Sequence, residues 1–290
     1  MSDELDSRLH AYRPDLADIR LKGKVVASRF VEGIPRQVIH PTAPLRRAPR
    51  SDAPLDSEAI FGEIVLVFEE TIEGWVWGQI ATDSYVGFLP ASALGPLTQP
   101  SHAVTGLRSF VYPAPDLKMQ PQAVLAFGSL VSLGEEVITR GTPYRRVAGG
   151  GAIASAHIAP LPRKPEADFV SLAERFLGTP YLWGGRTSFG LDCSGLVQTA
   201  LAGAGIAAPR DSDLQAKSLG APLAKDETLL RGDLVFWPGH VGIMQDGERL
   251  IHANAFHMEV ASEKLVEAVA RIGAAGSAGS GIRRLGAPGS

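Results

Sequence analysis

The chain of 290 residues is long enough for two or three domains, and a hydrophobic content of 45% is ordinary for a soluble globular protein. A net charge of −3 argues against a nucleic-acid-binding protein, because binding to phosphates requires a basic surface. The single cysteine excludes an internal disulfide, and no apolar run reaches the about 18 residues that a membrane helix requires. The charged N-terminal sequence lacks the apolar core of a signal peptide, so we expect a cytoplasmic protein that binds neither nucleic acid nor membrane.

Residues 1–50 are predicted to form an extended arm. Long helices are ruled out there by Pro35, Pro41, Pro44 and Pro49. The segment VVASRFVEG is a candidate strand for a neighbouring β domain.

Two β regions are predicted next, over residues 51–98 and 99–161. The first mixes β-forming residues with polar turn signals, and its segment WVWGQI alternates with the period of a strand. The second shows a weaker version of the same pattern, and its end, GGAIASAHIAPL, is similar to VGFLPASALGPL in the first. Short strands at close spacing predict two small all-β barrels.

The third region, residues 162–290, changes from helical to β patterns after a proline-rich boundary. An apolar stripe with helical spacing begins at Phe169 and is stopped by Gly178 and Pro180, and Cys193–Ala204 also has helical spacing. Three strands are predicted after these helices: Leu234–Trp237, Val241–Met244 and Arg249–His252. Helices followed by an antiparallel sheet indicate an α+β domain.

Cys193 lies where a loop is predicted to become a helix. The thiolate is the nucleophilic form of cysteine, and a helix N-terminus favours it through unpaired N–H groups and partial positive charge. The same N–H groups are able to hold an oxyanion. A single buried cysteine is nevertheless more often structural than catalytic, so the position alone leaves both roles open.

A nucleophilic cysteine also needs a base and a group that orients the base. His240 and His252 lie on adjacent predicted strands, each six residues from Asp246 of the predicted turn, so a simple hairpin sets them roughly opposite each other. They are equally able to bind a metal, with Cys193 or His257 as a further ligand. Zinc sites with cysteine usually have a close pair of ligands, however, and this sequence has none.

Five motifs, in this order, resemble the NlpC/p60 family of papain-like cysteine peptidases: PYLWGG, DCSGLVQ, PRDSDLQ, GDLVFWPGHVGIM and LIHANA. The resemblance covers about residues 165–285. It implies that Cys193 is the nucleophile, His240 the base and His252 the residue that orients the base. Members cleave peptides of bacterial peptidoglycan, typically at γ-D-glutamyl-diamino acid bonds, and the resemblance implies neither a cofactor nor a catalytic metal.

The upstream β regions resemble the bacterial SH3-like domains that accompany this catalytic domain. The predicted fold is therefore two small all-β SH3-like barrels followed by an α+β papain-like domain. Such chains resemble the cytosolic peptidases of murein recycling, in which the first barrel leaves room only for a free N-terminal L-alanine. The implied substrate is a cell-wall peptide, L-Ala-γ-D-Glu-diamino acid, cut before the diamino acid, which is lysine or diaminopimelate.

Further site residues follow from the same resemblance. Tyr181 matches a tyrosine whose hydroxyl lines the oxyanion site. The substrate-contacting positions of the peptidase domain match Asp192, Ser194, Asp211 and Ser212. Asp192 has the alternative role of a helix cap, and Arg210 and Gln215 are expected to be structural. Glu63 and Tyr85 of the first barrel match the residues that receive the substrate's ammonium group.

Three other functions are compatible with this sequence. A secreted hydrolase would use the barrels to bind intact wall, although the N-terminal sequence argues against export. An acyltransferase would pass the same acyl group to an amine rather than to water. A non-catalytic binding protein is disfavoured, because Cys193, His240 and His252 are all present.

Overall fold

The computed structural model describes residues 5–224, 226–277 and 281–286, which divide into two compact units between Arg163 and Lys164. The division falls within the proline-rich boundary that the sequence predicts. None of the helices in these residues is long and apolar enough to cross a membrane.

The first unit is built from short strands and three single-turn 3₁₀ helices. Its strands are β1 (Ala17–Asp18), β2 (Phe30–Val31), β3 (Ile34–Val38), β4 (Thr42–Arg46), β5 (Leu55–Ile60), β6 (Ile64–Glu70), β7 (Trp75–Ile80), β8 (Val86–Pro90), β9 (Leu94–Gly95), β10 (His102–Val104), β11 (Arg108–Tyr112), β12 (Ala123–Ala126), β13 (Leu130–Val131), β14 (Leu133–Thr139), β15 (Thr142–Val147), β16 (Ala152–Ala154) and β17 (Ile158–Pro160). The 3₁₀ helices are Ile19–Leu21, Ala91–Ala93 and Ser155–His157.

The first β domain is a seven-stranded sheet with the strand order β5-β4-β8-β7-β6-β3-β9. Strands β3 and β4 lie within residues 1–50, so the N-terminal arm contributes strands to the first β domain. Strand β4 pairs with β8 only at Arg46 and Phe88. Pro44 therefore does not interrupt the sheet, because no hydrogen bond to β8 requires the N–H that proline lacks.

The second β domain has a five-stranded sheet, β12-β11-β16-β15-β14, and a three-stranded sheet, β13-β10-β17. Its small core contains Val104, Val111, Leu125, Val131 and Ile153, all buried. Alternating burial along β11 is the period-2 pattern of a strand with one solvent-exposed face.

The second unit combines helices with an antiparallel sheet, as predicted. Its elements are α1 (Phe169–Glu174), β18 (Arg186–Thr187), β19 (Gly190–Leu191), α2 (Cys193–Gly203), α3 (Ser212–Ser218), β20 (Ala221–Pro222), β21 (Leu234–Trp237), β22 (His240–Met244), β23 (Arg249–Asn254), β24 (Glu259–Lys264), α4 (Leu265–Ala274) and β25 (Gly281–Arg284).

A six-stranded sheet, β20-β25-β21-β22-β23-β24, organises this unit. Strands β21 to β24 are consecutive antiparallel neighbours, so residues far apart in the sequence come level across the sheet. Helix α2 packs on β22 and β23 and buries almost all of its length. The start of α2 therefore lies beside the strands that carry the two predicted histidines.

Candidate active site

Cys193 is the first residue of helix α2 and is only 7% exposed. The preceding Asp192 is the N-cap, and its Oδ1 accepts the N–H of Gly195 at 2.7 Å. An N-cap aspartate satisfies one of the four unpaired N–H groups of a helix start and thereby fixes where the helix begins. The loop-to-helix junction predicted for the cysteine is confirmed.

The carboxylate of Asp192 is held by a buried guanidinium. Arg210 is 1% exposed and donates to both carboxylate oxygens, at 2.9 and 2.6 Å. It also donates to the hydroxyl of Ser194 at 2.9 Å, so one side chain holds both neighbours of the cysteine. The N–H of Gly184 and the hydroxyl of Ser194 also donate to the Asp192 carboxylate, at 2.8 and 3.2 Å. Arg210 has a structural role, as predicted, and the residues that it holds in place are the two neighbours of Cys193.

Arg210→Ala is expected to lower the free energy of unfolding by about 3–5 kcal/mol, because it leaves the charge of Asp192 buried and unpaired. Urea denaturation measures the change. Arg231→Ala is the matched control: Arg231 pairs with Asp168 and Glu174 but is 38% exposed at its side chain, so its loss costs about 0–1 kcal/mol. Equal losses in the two variants would contradict the role given to Arg210.

The two predicted histidines contact each other directly. His240 Nε2 lies 2.8 Å from His252 Nδ1. The Cys193 thiol is hydrogen-bonded to the N–H of Val241, the residue after His240, which places the sulfur at the start of β22. Cys193, His240 and His252 are thus brought together by one helix start and two neighbouring strands.

The strand register explains this meeting. Ile243 pairs with Ile251 and Met244 with Leu250, so His252 comes level with Gly242, two residues from His240. Side chains two residues apart project from the same face of a strand, and diagonal neighbours lie within reach of large side chains. The histidines are therefore diagonal rather than directly opposite.

Burial disfavours the charged form of both Cys193 and His240. It raises the pKa of Cys193 to about 12, with Asp192 adding to the effect, and it lowers the pKa of His240 to about 3. The N–H groups of Val241 and Ser194 lower the thiol pKa but do not outweigh burial. The helix start therefore acts in the predicted direction, and burial makes the thiolate depend on a base that takes the thiol proton.

Tyr181 lies near the thiol, since the charges of Cys193 and Asp192 both act on it. Burial, followed by those charges, raises the pKa of Tyr181 to about 12. Its hydroxyl is therefore protonated at neutral pH and is a hydrogen-bond donor. Its backbone N–H donates to the carbonyl of Met258 at 2.8 Å, which fixes the loop that carries it.

Asp211 and Ser212 lie at the start of helix α3, which packs against α2 and β22. The helix is tied to the cysteine's surroundings by Gln215, whose amide donates to the carbonyls of Ser194 and Pro209 at 3.0 and 2.9 Å. Gln215 is structural, as predicted. The substrate contacts assigned to Asp192, Ser194, Asp211 and Ser212 stay predictions.

Glu63 and Tyr85 belong to the first unit, and both are buried, at 6% exposure each. Glu63 follows the Gly62 turn between β5 and β6, and its Oε2 accepts the N–H of Ile60 at 2.8 Å. Tyr85 lies just before β8 and packs in the core of the first β domain. A partly desolvated carboxylate is the group that a cation-recognition role requires, and that role stays a prediction.

A possible metal-ligand set is formed by His252, His257 and Glu263, whose candidate ligand atoms lie within 4.8 Å of one another. These atoms already have partners: Glu263 accepts from Arg271, and His257 Nδ1 lies 3.0 Å from Asn254 Oδ1. A guanidinium on the carboxylate opposes a second cation there. This set differs from the metal site that the sequence suggested, because it contains neither Cys193 nor His240.

Glu263 is the residue of this region that sequence reasoning missed. Its Oε1 lies 2.7 Å from His252 Nε2, so β24 adds a carboxylate to the contact between His240 and His252. The alternation of the segment EVASEK predicts strand β24. The composition of the segment does not predict its register against β23.

The site thus combines a buried thiol at a helix start with hydrogen-bonded histidines on an antiparallel sheet. Residues 178–271 match the NlpC/P60 family model, and residues 45–94 match the model of the bacterial dipeptidyl-peptidase SH3 domain. The probable endopeptidase NlpC of Escherichia coli is 36% identical over 115 residues, which cover 34% of this chain and 73% of that protein. The chain belongs to the NlpC/P60 family, with an SH3-like domain before the α+β domain.

Two further comparisons extend beyond this domain. A gamma-D-glutamyl-L-lysine dipeptidyl-peptidase of Bacillus cereus is 29% identical over 207 residues, which cover 63% of this chain and 60% of that enzyme. The chain thus spans less than two thirds of that relative. The crystal structure of an NlpC/P60 family protein from Bacillus cereus superposes with a TM-score of 0.70 at 22% identity, over 87% of this chain and 99% of the other, which confirms the predicted fold class.

Proposed function

We propose that this protein is a cysteine peptidase that hydrolyses the γ-D-glutamyl-diamino acid bond of peptides derived from the bacterial cell wall. The observation that carries the proposal is the contact of His240 with His252 beside the buried thiol of Cys193. The names of the relatives support the class of substrate. No cofactor enters the reaction.

The residues divide the chemistry among them as follows. His240 takes the proton of Cys193 as the sulfur attacks the scissile carbonyl, and His252 holds the ring of His240. The N–H groups at the start of α2, together with the Tyr181 hydroxyl, stabilise the oxyanion. His240 then returns the proton to the amine of the departing diamino acid, and water hydrolyses the thioester by the same route in reverse.

The proposal includes selectivity for a free N-terminal L-alanine, recognised by Glu63 and Tyr85. A free α-amine is a cation at neutral pH, and the buried carboxylate of Glu63 is an anion that suits it. A peptide still attached to muramic acid has an amide there and offers no charge. A cytoplasmic location belongs to the same proposal, because an enzyme with this selectivity acts on released fragments.

Glu63→Gln is expected to lower kcat/KM for L-Ala-γ-D-Glu-diamino acid by about 10²-fold or more, because an ammonium facing a neutral amide loses a charge-assisted bond worth several kcal/mol. The measurement compares the free tripeptide with its N-acetylated form in both proteins. Glu70→Gln is the control, since Glu70 is half exposed and pairs with Arg36 at the surface of the same β domain.

Wild type should prefer the free peptide, and Glu63→Gln should lose that preference. Alkylation of Cys193 by iodoacetamide should proceed at the same rate in both proteins, which separates recognition from chemistry. Equal cleavage of free and acetylated peptide by wild type would overturn the selectivity and favour a hydrolase of intact wall. A preference that survives in Glu63→Gln would assign the recognition to another residue.

A further inference from the structure

Three neighbouring strands contribute one polar side chain each to a diagonal row across the sheet. His240 Nε2 lies 2.8 Å from His252 Nδ1, and His252 Nε2 lies 2.7 Å from Glu263 Oε1. His252 pairs with Ala261 on β24, so Glu263 is two residues further along the same face.

The carboxylate of Glu263 decides which nitrogen atoms of the two histidines carry protons. A carboxylate has no proton to donate, so the 2.7 Å contact requires His252 to carry its proton on Nε2. The ring of His252 is fully buried, and burial, followed by the charge of Arg271, lowers its pKa to about 3, which favours the neutral ring with one proton. Its Nδ1 is then an acceptor, and His240 must donate to it from Nε2.

A neutral His240 with its proton on Nε2 has a bare Nδ1, and this is the nitrogen left to accept the thiol proton. We propose that Glu263 is a positioning residue that fixes the Nε2–H tautomer of His252 and thereby makes Nδ1 the basic nitrogen of His240. This inference rests on the proposed function, because only a proton-transfer mechanism uses that nitrogen.

The carboxylate is itself held in place. Arg271 of α4 donates to the same Oε1 of Glu263, and its guanidinium lies over the ring of Phe256 at 4.4 Å. The side chain of Glu263 is 10% exposed, against 24% for Arg271. Such a carboxylate–histidine pair fixes a ring tautomer in metal sites as well, where losing the outer partner costs about 10–100-fold.

A purely structural role competes with this proposal, since the Glu263–Arg271 pair also ties α4 to the sheet. Glu263→Gln separates the two roles, because it removes the ion pair and keeps an oxygen that accepts from His252. Glu263→Ala removes both. Glu259→Ala is the control, an exposed carboxylate on the same strand.

The first readout is ¹⁵N NMR of the histidine rings in the substrate-free protein. We expect His252 with a protonated Nε2 and a bare Nδ1 in wild type, Glu259→Ala and Glu263→Gln, and a changed tautomer population in Glu263→Ala. The second readout is peptide hydrolysis. We expect kcat to fall about 10–100-fold in Glu263→Ala with little change in KM, and to be largely restored in Glu263→Gln.

A protonated Nδ1 on His252 in wild type overturns the inference. So does an unchanged tautomer in Glu263→Ala, or an equal loss of kcat and melting temperature in the Gln and Ala variants, which is the result for an ion pair with a structural role only. Failure of the proposed function looks different. In that case wild type cleaves no wall peptide, while the NMR spectra still report whether Glu263 fixes the tautomer.

Discussion

Cys193→Ala is expected to lower hydrolysis of the wall peptide by on the order of 10⁶-fold, the loss found when a peptidase nucleophile is removed. The thiol lies at the start of α2, hydrogen-bonded to the N–H of the residue after His240, and no other cysteine exists to replace it. Cys193→Ser should fail as well, because a hydroxyl gives up its proton far less readily than a thiol. Product release, followed by mass spectrometry, measures the loss.

Both variants should keep the fold, since the helix cap at Asp192 and its contact with Arg210 do not involve the sulfur. Calorimetric binding of the uncleaved tripeptide to Cys193→Ala provides the control. More than a few per cent of wild-type activity in Cys193→Ala would contradict the proposed mechanism.

His240→Ala is expected to lower kcat by about 10²–10⁴-fold, the usual contribution of general acid–base catalysis. The reason lies in the buried thiol, whose raised pKa means that little thiolate forms without a base. His252→Ala should cost less, because His252 contacts His240 and only orients it. Steady-state kinetics of the two variants against wild type measure the difference.

A near-normal kcat in His240→Ala would contradict the assignment of the base. Loss of activity with a chelator, followed by rescue with zinc, would instead support the metal-ligand hypothesis for His252, His257 and Glu263. His257→Ala is the useful comparison, since His257 belongs to that set and not to the proposed proton path. It should leave peptide hydrolysis unchanged.

Much of the local architecture of the site could be predicted from the sequence. Strand β21 has the predicted bounds, and the start of α2 was placed correctly because Asp192 is a strong N-cap before an apolar helical pattern. The period of apolar residues and the turn residues decide such elements locally. The contact of His240 with His252 followed from a short hairpin; the register differs by two residues from the predicted one, which keeps both side chains on the same face.

Long-range features were less accessible. Glu263 reaches His252 because of the register between β23 and β24, which depends on packing of both strands rather than on a local signal. The buried position of Arg210 reverses the usual preference of arginine for the surface, and its hydrogen-bonded pairing with Asp192 explains it. The raised pKa of Cys193 likewise depends on how closely α2 packs on the sheet, whereas the sequence shows only the helix start.

The most direct test of the central claim is digestion of free L-Ala-γ-D-Glu-diamino acid tripeptide beside intact sacculi, with mass spectrometry of both reactions. The account predicts L-Ala-γ-D-Glu and the free diamino acid from the tripeptide, none of either with Cys193→Ala, and little or no release from sacculi. Lysine and diaminopimelate versions of the tripeptide identify the preferred third residue in the same experiment. An intact tripeptide after incubation with wild type, or release from sacculi at a rate equal to or above that of the tripeptide, would contradict it.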